Sequence, residues 1–234
     1  MQEIFIQNKT KGVLINFFLL FSEDIFITSG ATQGLHVILS TLIDFEGYIF
    51  VDEVTYMIAL DTIKQFYTLN IIPVKLNEDG VDLEMLEKLV QEKQFKSKNK
   101  EFWGMYYTIP TYHNPTGILF SKEVCENLIK LARKYDFLIT CDDVYNILYY
   151  KDSKAPQRLF AYDNREDTDY KGNVVSNGSF SKILGPGVRL GWLEMPNRIK
   201  TLVDARLVNI LYVHLIINLI IITFLNNFIQ RFSK

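Results

Sequence analysis

The sequence predicts an α/β fold built on a mainly parallel seven-stranded sheet with helices on both faces. Three observations carry that expectation. Between Ile25 and Glu194, short apolar runs alternate with longer amphipathic stretches. The amphipathic stretches begin at residues suited to capping a helix. Strands that alternate with helices return in the same direction, which makes the sheet parallel and puts ligands at the carboxyl ends of its strands.

In chain order, the apolar runs predict strands at Ile25–Thr28, Tyr48–Val51, Ile71–Val74, Phe102–Tyr107, Leu138–Cys141, Val174–Asn177 and Arg189–Leu193. Helices fit between them: Gln33–Ile43; Tyr56–Tyr67 with Thr55 as cap; Leu83–Lys93 after Asp82; and Lys122–Tyr135 after Ser121. The polar stretches Lys96–Glu101 and Asp163–Gly172 read as surface loops. No internal repeat or low-complexity tract interrupts the pattern.

Composition narrows the class. The chain has 234 residues, of which 48% are hydrophobic and 22% charged, ample for a packed core and too apolar for disorder. The net charge is -2 and the basic residues are scattered, so nucleic acid is not an expected partner. Cys125 and Cys141 fit neither a metal spacing nor a disulfide framework, and read as reduced thiols of an intracellular, cytoplasmic protein.

Two apolar stretches bear on localisation. Val13–Phe21 follows Lys9 and Lys11 as a signal peptide would, but Ser22, Glu23 and Asp24 supply no small-residue cleavage site. Leu207–Leu225 is long enough to span a bilayer, yet Asn209, His214 and Asn218 interrupt it. Membrane association through 207–225 is therefore the alternative to a cytoplasmic location; a helix capping a sheet edge is the soluble reading of the same stretch.

Four motifs carry chemistry. Thr28-Ser29-Gly30-Ala31-Thr32-Gln33-Gly34 joins a strand to a helix, where small residues let backbone amides meet a phosphate and Thr32 adds a hydroxyl. Ser179-Phe180-Ser181-Lys182-Ile183-Leu184-Gly185-Pro186-Gly187-Val188-Arg189 sets a lysine beside two serines, with an arginine seven residues on. That pattern suits a lysine bonded to a carbonyl cofactor next to a phosphate clamp; alone it also suits a surface lysine in a glycine-rich loop.

Cys141-Asp142-Asp143-Val144-Tyr145 ends a strand on a carboxylate able to pair with a pyridinium nitrogen, with Tyr145 in reach of the same ring. Asp143 reads instead as a solvated or helix-capping residue. Pro110-Thr111-Tyr112-His113-Asn114-Pro115-Thr116-Gly117 is a loop stiffened by prolines, in which Asn114 can donate to a ring oxygen and His113 reads as structural.

Together, in this order, the four stretches resemble the aminotransferase class I/II family of fold-type I pyridoxal-phosphate (PLP) enzymes. The most specific of them extends through Ser-Phe-Ser-Lys-Ile-Leu-Gly-Pro-Gly-Val-Arg-Leu-Gly-Trp, residues 179–192. The resemblance implies the PLP-dependent transferase-like large domain and a PLP-dependent transfer of amino groups between an amino acid and a 2-oxo acid. Lys182 becomes the residue that holds PLP covalently and Asp142 the partner of the pyridine nitrogen. Asn114 and Tyr145 become contacts to the ring hydroxyl, and Tyr56 the ring that stacks on the cofactor. Ala31, Thr32, Ser179, Ser181 and Arg189 become the phosphate cup. Lys182, Asp142 and Tyr145 are the expected catalytic groups, and no metal is expected.

The resemblance covers 25–201 as the PLP-binding large domain. Residues 1–24 form a non-matching N-terminal segment and 202–234 an apolar tail. An N-terminal arm, the rest of the large domain and the small domain, with its carboxylate-gripping arginine, have no recognisable counterpart, so the resemblance reads as a family member truncated at both ends, with reduced or no activity. The intact family implies a homodimer. Its texture is nearest the branch that handles aromatic amino acids, kynurenine or 2-aminoadipate. The other readings are a carbon–sulfur lyase on the same fold, a non-catalytic PLP-binding remnant, and the sensor domain of a regulator, which would need a DNA-binding module that residues 1–24 do not supply.

Overall fold

The computed structural model describes residues 24–149 and 155–206. In chain order its elements are β1 (Ile25–Thr28), α1 (Ala31–Leu42), β2 (Ile43–Asp52), α2 (Met57–Lys64), β3 (Asn70–Val74) and a small hairpin of β4 (Leu76–Asn77) and β5 (Gly80–Val81). There follow α3 (Leu83–Lys93), β6 (Phe102–Thr108), α4 (Lys122–Tyr135), β7 (Leu138–Asp142), β8 (Val174–Ser179) and β9 (Gly191–Glu194). Residues 197–206 are helical.

Seven strands make one sheet in the order β1-β9-β8-β7-β6-β2-β3. From β3 through β2, β6 and β7 to β8 every pair is parallel. Only β9 runs against its neighbours, antiparallel to both β8 and β1. The α/β expectation of a mainly parallel seven-stranded sheet therefore holds, with one reversed strand.

Helices cover both faces, and two apolar clusters mark the division. One unites Leu35, Ile38 and Leu42 of α1 with Ala59 and Ile63 of α2 and with Ile199 and Val203. The other unites Leu86 and Val90 of α3 with Leu128 and Ile129 of α4. The interior strand β6 is buried at all seven positions, as a strand packed by helices on both sides must be. From Met105 onward its side chains alternate: Met105 and Tyr107 join the α1–α2 cluster and Tyr106 the α3–α4 cluster.

Helix starts follow the expected chemistry in two cases of three. Asp82 accepts from the Met85 amide and Ser121 from the Val124 amide. Thr55 does not cap α2: Tyr56 occupies the N-cap with no side-chain capping bond, and the Thr55 hydroxyl is buried without a hydrogen-bond partner. The last strand starts at Gly191 rather than 189 because Arg189 takes φ +50°, a left-handed conformation that no strand accommodates.

The two polar stretches are tethered rather than loose. Asp44 is buried and accepts from the backbone amides of Lys98 and Asn99 and from the Ser97 hydroxyl. Burial alone would raise its pKa; these bonds outweigh burial and hold it well below the ordinary carboxylate value. On the 163–172 stretch, Arg133 of α4 binds Asp163, Asp167 and Asp169 at 2.7–2.9 Å. Cys125 and Cys141 are both free and buried. Among the described residues no helix is long and apolar enough to cross a membrane; the stretches 13–21 and 207–225 lie outside them.

Candidate active site

Every motif singled out in the sequence converges on the carboxyl end of the parallel strands. Thr28, at the end of β1, and Ser179, at the end of β8, both pair with Gly191 of β9. Gly191 must lack a side chain, since a Cβ there would stand 2.7 Å from both the Gly178 carbonyl and the Gly30 Cα. This close approach brings the turn before α1 against the turn after β8.

Ala31 and Thr32 open α1, whose N-cap Gly30 (φ +100°) provides no side-chain cap. The Ala31 carbonyl accepts from Asn177 Nδ2 at 2.9 Å, which ties the helix start to β8. Across Gly191, the Ser179 hydroxyl donates to Ser181 Oγ at 2.9 Å and accepts from the Ser181 amide. Arg189 reaches over the same turn and donates to the Ser29 carbonyl at 2.7 Å. Ala31, Thr32, Ser179, Ser181 and Arg189 thus surround one helix N-terminus, a set of amides, hydroxyls and one guanidinium suited to an anion.

Asp142 ends β7, the next strand, and is 7% exposed. Its Oδ2 accepts from the Tyr107 hydroxyl at 2.6 Å, whereas its Oδ1 is buried with no hydrogen-bond partner. Burial pushes its pKa up to about 6; the Tyr107 bond opposes this, the neighbouring Asp143 charge adds to it, and the Lys182 charge lowers it. A buried carboxylate oxygen left bare carries a desolvation cost that a ligand N–H would remove.

Asn114 and Tyr145 meet directly, the amide Nδ2 donating to the tyrosine hydroxyl at 3.1 Å. Lys182 Nζ stands 5.6 Å from the centre of the Tyr145 ring. Tyr56 is half-buried against the cluster that holds Tyr107 and borders Tyr145. Lys182, Asp142, Asn114 and Tyr145 therefore gather on the α1–α2 side of the sheet, beside the anion-suited turn.

Two neighbouring polar residues belong elsewhere. His113 is buried between Asp52 and Thr116, at 3.1 and 2.8 Å, and joins a closed network rather than the Asp142 group. Asp143 is not solvated, as its sequence context suggested, but 2% exposed: it accepts from Ser176 at 2.5 Å, its amide bonds the Asn177 carbonyl, and burial raises its pKa. It points to the opposite side of β7 from Asp142, since successive strand residues alternate.

Sequence reasoning missed Tyr107. The signal was present: two adjacent tyrosines at the end of a buried strand need hydroxyl partners, and the next strand ends in two aspartates. Asn177 was missed as well, because an asparagine inside a short apolar run carries no motif.

A mainly parallel α/β sheet with a lysine, a carboxylate and an anion-suited helix start at its carboxyl end defines the class of fold-type I PLP enzymes. The chain belongs to the aminotransferase class I and II family, whose model matches residues 13–231, wider at both ends than the 25–201 stretch that carries the motifs. It is 34% identical to aromatic-amino-acid aminotransferase 1 of Thermococcus litoralis over 73% of this chain and 38% of that one. It also resembles the kynurenine aminotransferase of Pyrococcus horikoshii, solved with pyridoxamine phosphate (31% identity, 84% of this chain and 48% of that one, TM-score 0.67). A third relative is LysN, an α-aminoadipate aminotransferase of Thermus thermophilus solved with a phosphopyridoxyl-leucine (26% identity, 83% and 48% coverage, TM-score 0.67). The chain spans about two-fifths of the length of the curated relatives it matches.

The residues present fit PLP on an observation internal to this chain. A pyridinium N–H needs a buried carboxylate acceptor, and Asp142 Oδ1 is a buried acceptor without a donor.

Proposed function

We propose that this chain forms the PLP-binding core of an amino-acid aminotransferase, a protein that moves an amino group from an amino acid to a 2-oxo acid. The observation that carries the reading is Asp142, with one oxygen held by Tyr107 and the other buried and bare. When bound, PLP supplies an electron sink beside the substrate's α-carbon. Asp142 holds the proton on the ring nitrogen, which keeps that sink strong. Lys182 would hold the cofactor covalently through its amine and, when that amine is free, would carry the substrate's α-proton. Asn114 and Tyr145 donate to the ring hydroxyl, Tyr56 stacks on the ring, and Ala31, Thr32, Ser179, Ser181 and Arg189 bind the phosphate.

The names of the three relatives support an amino donor in the class of aromatic amino acids, kynurenine or 2-aminoadipate. As in the wider family, the chain acts as a homodimer. Product analysis separates transfer from lyase chemistry: a 2-oxo acid with pyridoxamine phosphate marks transfer, pyruvate with ammonia marks a carbon–sulfur lyase.

The test is to mix the purified chain with PLP, record the near-ultraviolet spectrum, reduce with borohydride and map the modified peptide. The expected result is a yellow protein with the pyridoxyl group on Lys182, lost in Lys182→Ala. A colourless protein, or label spread over surface lysines, overturns the reading.

A further inference from the structure

We propose that Tyr107 is a positioning residue that fixes which oxygen of Asp142 is offered to the ring nitrogen, and so acts on the cofactor through the carboxylate. This rests on the reading of Asp142 given above.

The geometry comes from strand β6, which lies between β2 and β7 in the sheet. Both neighbours end in aspartate, Asp52 on β2 and Asp142 on β7. Three consecutive hydroxyl-bearing residues at the end of β6 serve them alternately. Tyr106 and Thr108 donate to Asp52, and Tyr107, facing the other side, donates to Asp142 Oδ2. Tyr107 is fully buried. Burial, with the Asp142 charge and bond, raises its pKa well above the usual phenol value, so it remains a donor across the accessible pH range.

A lone carboxylate can turn about its Cβ–Cγ bond and present either oxygen. One short bond from a packed phenol removes that freedom and leaves Oδ1 as the free acceptor. The same bond stabilises the carboxylate charge, which favours leaving the shared proton on the ring nitrogen. The other charged groups that act on Asp142 are Asp143 and Lys182, in opposite directions.

The experiment is a double-mutant cycle on PLP affinity, with the affinity also followed against pH. Tyr107→Phe keeps the ring and removes the donor. It is expected to weaken PLP binding about tenfold, the size of one hydrogen bond to a charged group. It is also expected to move the acid limb of binding upward by about one pH unit, since loss of the bond raises the proton affinity of Asp142. In the Asp142→Asn background the same change should alter Kd less than about twofold. Equal weakening in both backgrounds, or wild-type affinity and pH midpoint in Tyr107→Phe, overturns the inference while PLP uptake by the wild type leaves the functional reading standing. A wild-type chain that takes up no PLP overturns both. Replacing Tyr107 by 3-fluorotyrosine, which differs by one fluorine atom and donates more strongly, provides an independent arm: the acid midpoint should move down, and an unmoved midpoint in the folded protein also overturns the inference.

Discussion

Asp52 and Asp142 end the two strands that flank β6, are both buried, and differ in what surrounds them. Asp52 accepts from Tyr106, Thr108 and His113, so both of its oxygens are engaged. Asp142 accepts from Tyr107 on one oxygen and leaves the other bare. An unpaired buried polar group costs free energy, which a ligand donor can recover. Asp143 Oδ1 and Asn177 Oδ1 are bare as well, so the open oxygen supports Asp142 as the ligand's carboxylate only together with the Lys182 charge that acts on it and not on Asp143. The closed Asp52 is tied to His113 and so braces the His113–Asn114 loop.

The largest effect should come from opening the closed site. Asp52→Ala strands three buried donors at once and is expected to destabilise the chain by about 4 kcal/mol. Denaturant melts of the purified protein measure it. A loss below about 1 kcal/mol would show that the network is slack and would break the contrast with Asp142.

Neutralising the open site should do the reverse. The folded pKa of Asp142 is raised to about 6, above the ordinary carboxylate value of about 4 in an unfolded chain. A raised acid pKa means that the folded state holds the proton more tightly, so stability falls as pH rises from about 4 to about 6 and levels off above. Asp142→Asn removes that penalty and is expected to stabilise the PLP-free chain by about 3 kcal/mol at pH 7.5. The gain should vanish below about pH 4, while PLP affinity collapses. Equal stability of the two proteins at pH 7.5 would refute the assignment of Asp142 as a destabilised, ligand-directed group.

A third test addresses Asn177, whose Oδ1 is also buried and bare while its Nδ2 holds the start of α1. A Cβ on Gly34 would stand 2.2 Å from that oxygen and 3.0 Å from Leu193. Gly34→Ala is thus expected to cost about 2 kcal/mol through overpacking, despite the higher helix propensity of alanine. A neutral result in a thermal melt would mean that Asn177 can swing away, and that its tie to the helix start is weak.

The same contrast explains what could be read from the sequence. Strands β1, β3, β6, β7 and β8 and helices α3 and α4 were legible to within two residues, because apolar runs and the caps Asp82 and Ser121 are local signals. The reversal of β9 was not, since it depends on a long return through residues 180–190. The convergence of Lys182, Asp142, Asn114 and Tyr145 was expected from the family resemblance, and the geometry brings them together. Tyr107 was invisible for a physical reason: its role is defined by a partner 35 residues away, and in a chain with 13 tyrosines a phenol in a buried strand reads as core. Asp143 was misjudged because the sequence does not show which of two adjacent aspartates faces which side of a strand.

The smallest expected effect separates two helix starts that differ as the two carboxylates do. Ser121 closes the first turn of α4 on itself by accepting from the Val124 amide at 3.2 Å, whereas α1 starts at Gly30 with no side-chain cap and faces the Ser179–Arg189 turn. Ser121→Ala should cost about 1 kcal/mol, equally with and without PLP, because its cap serves only the helix. Gly30→Ala removes no cap, yet places a Cβ 3.1 Å from the Arg189 guanidinium at φ +100°, so its cost should fall on PLP affinity as well as on stability. If PLP protects Ser121→Ala and Gly30→Ala to the same extent in thermal melts, the uncapped start of α1 is an ordinary helix end and not the part of the chain kept open for a phosphate.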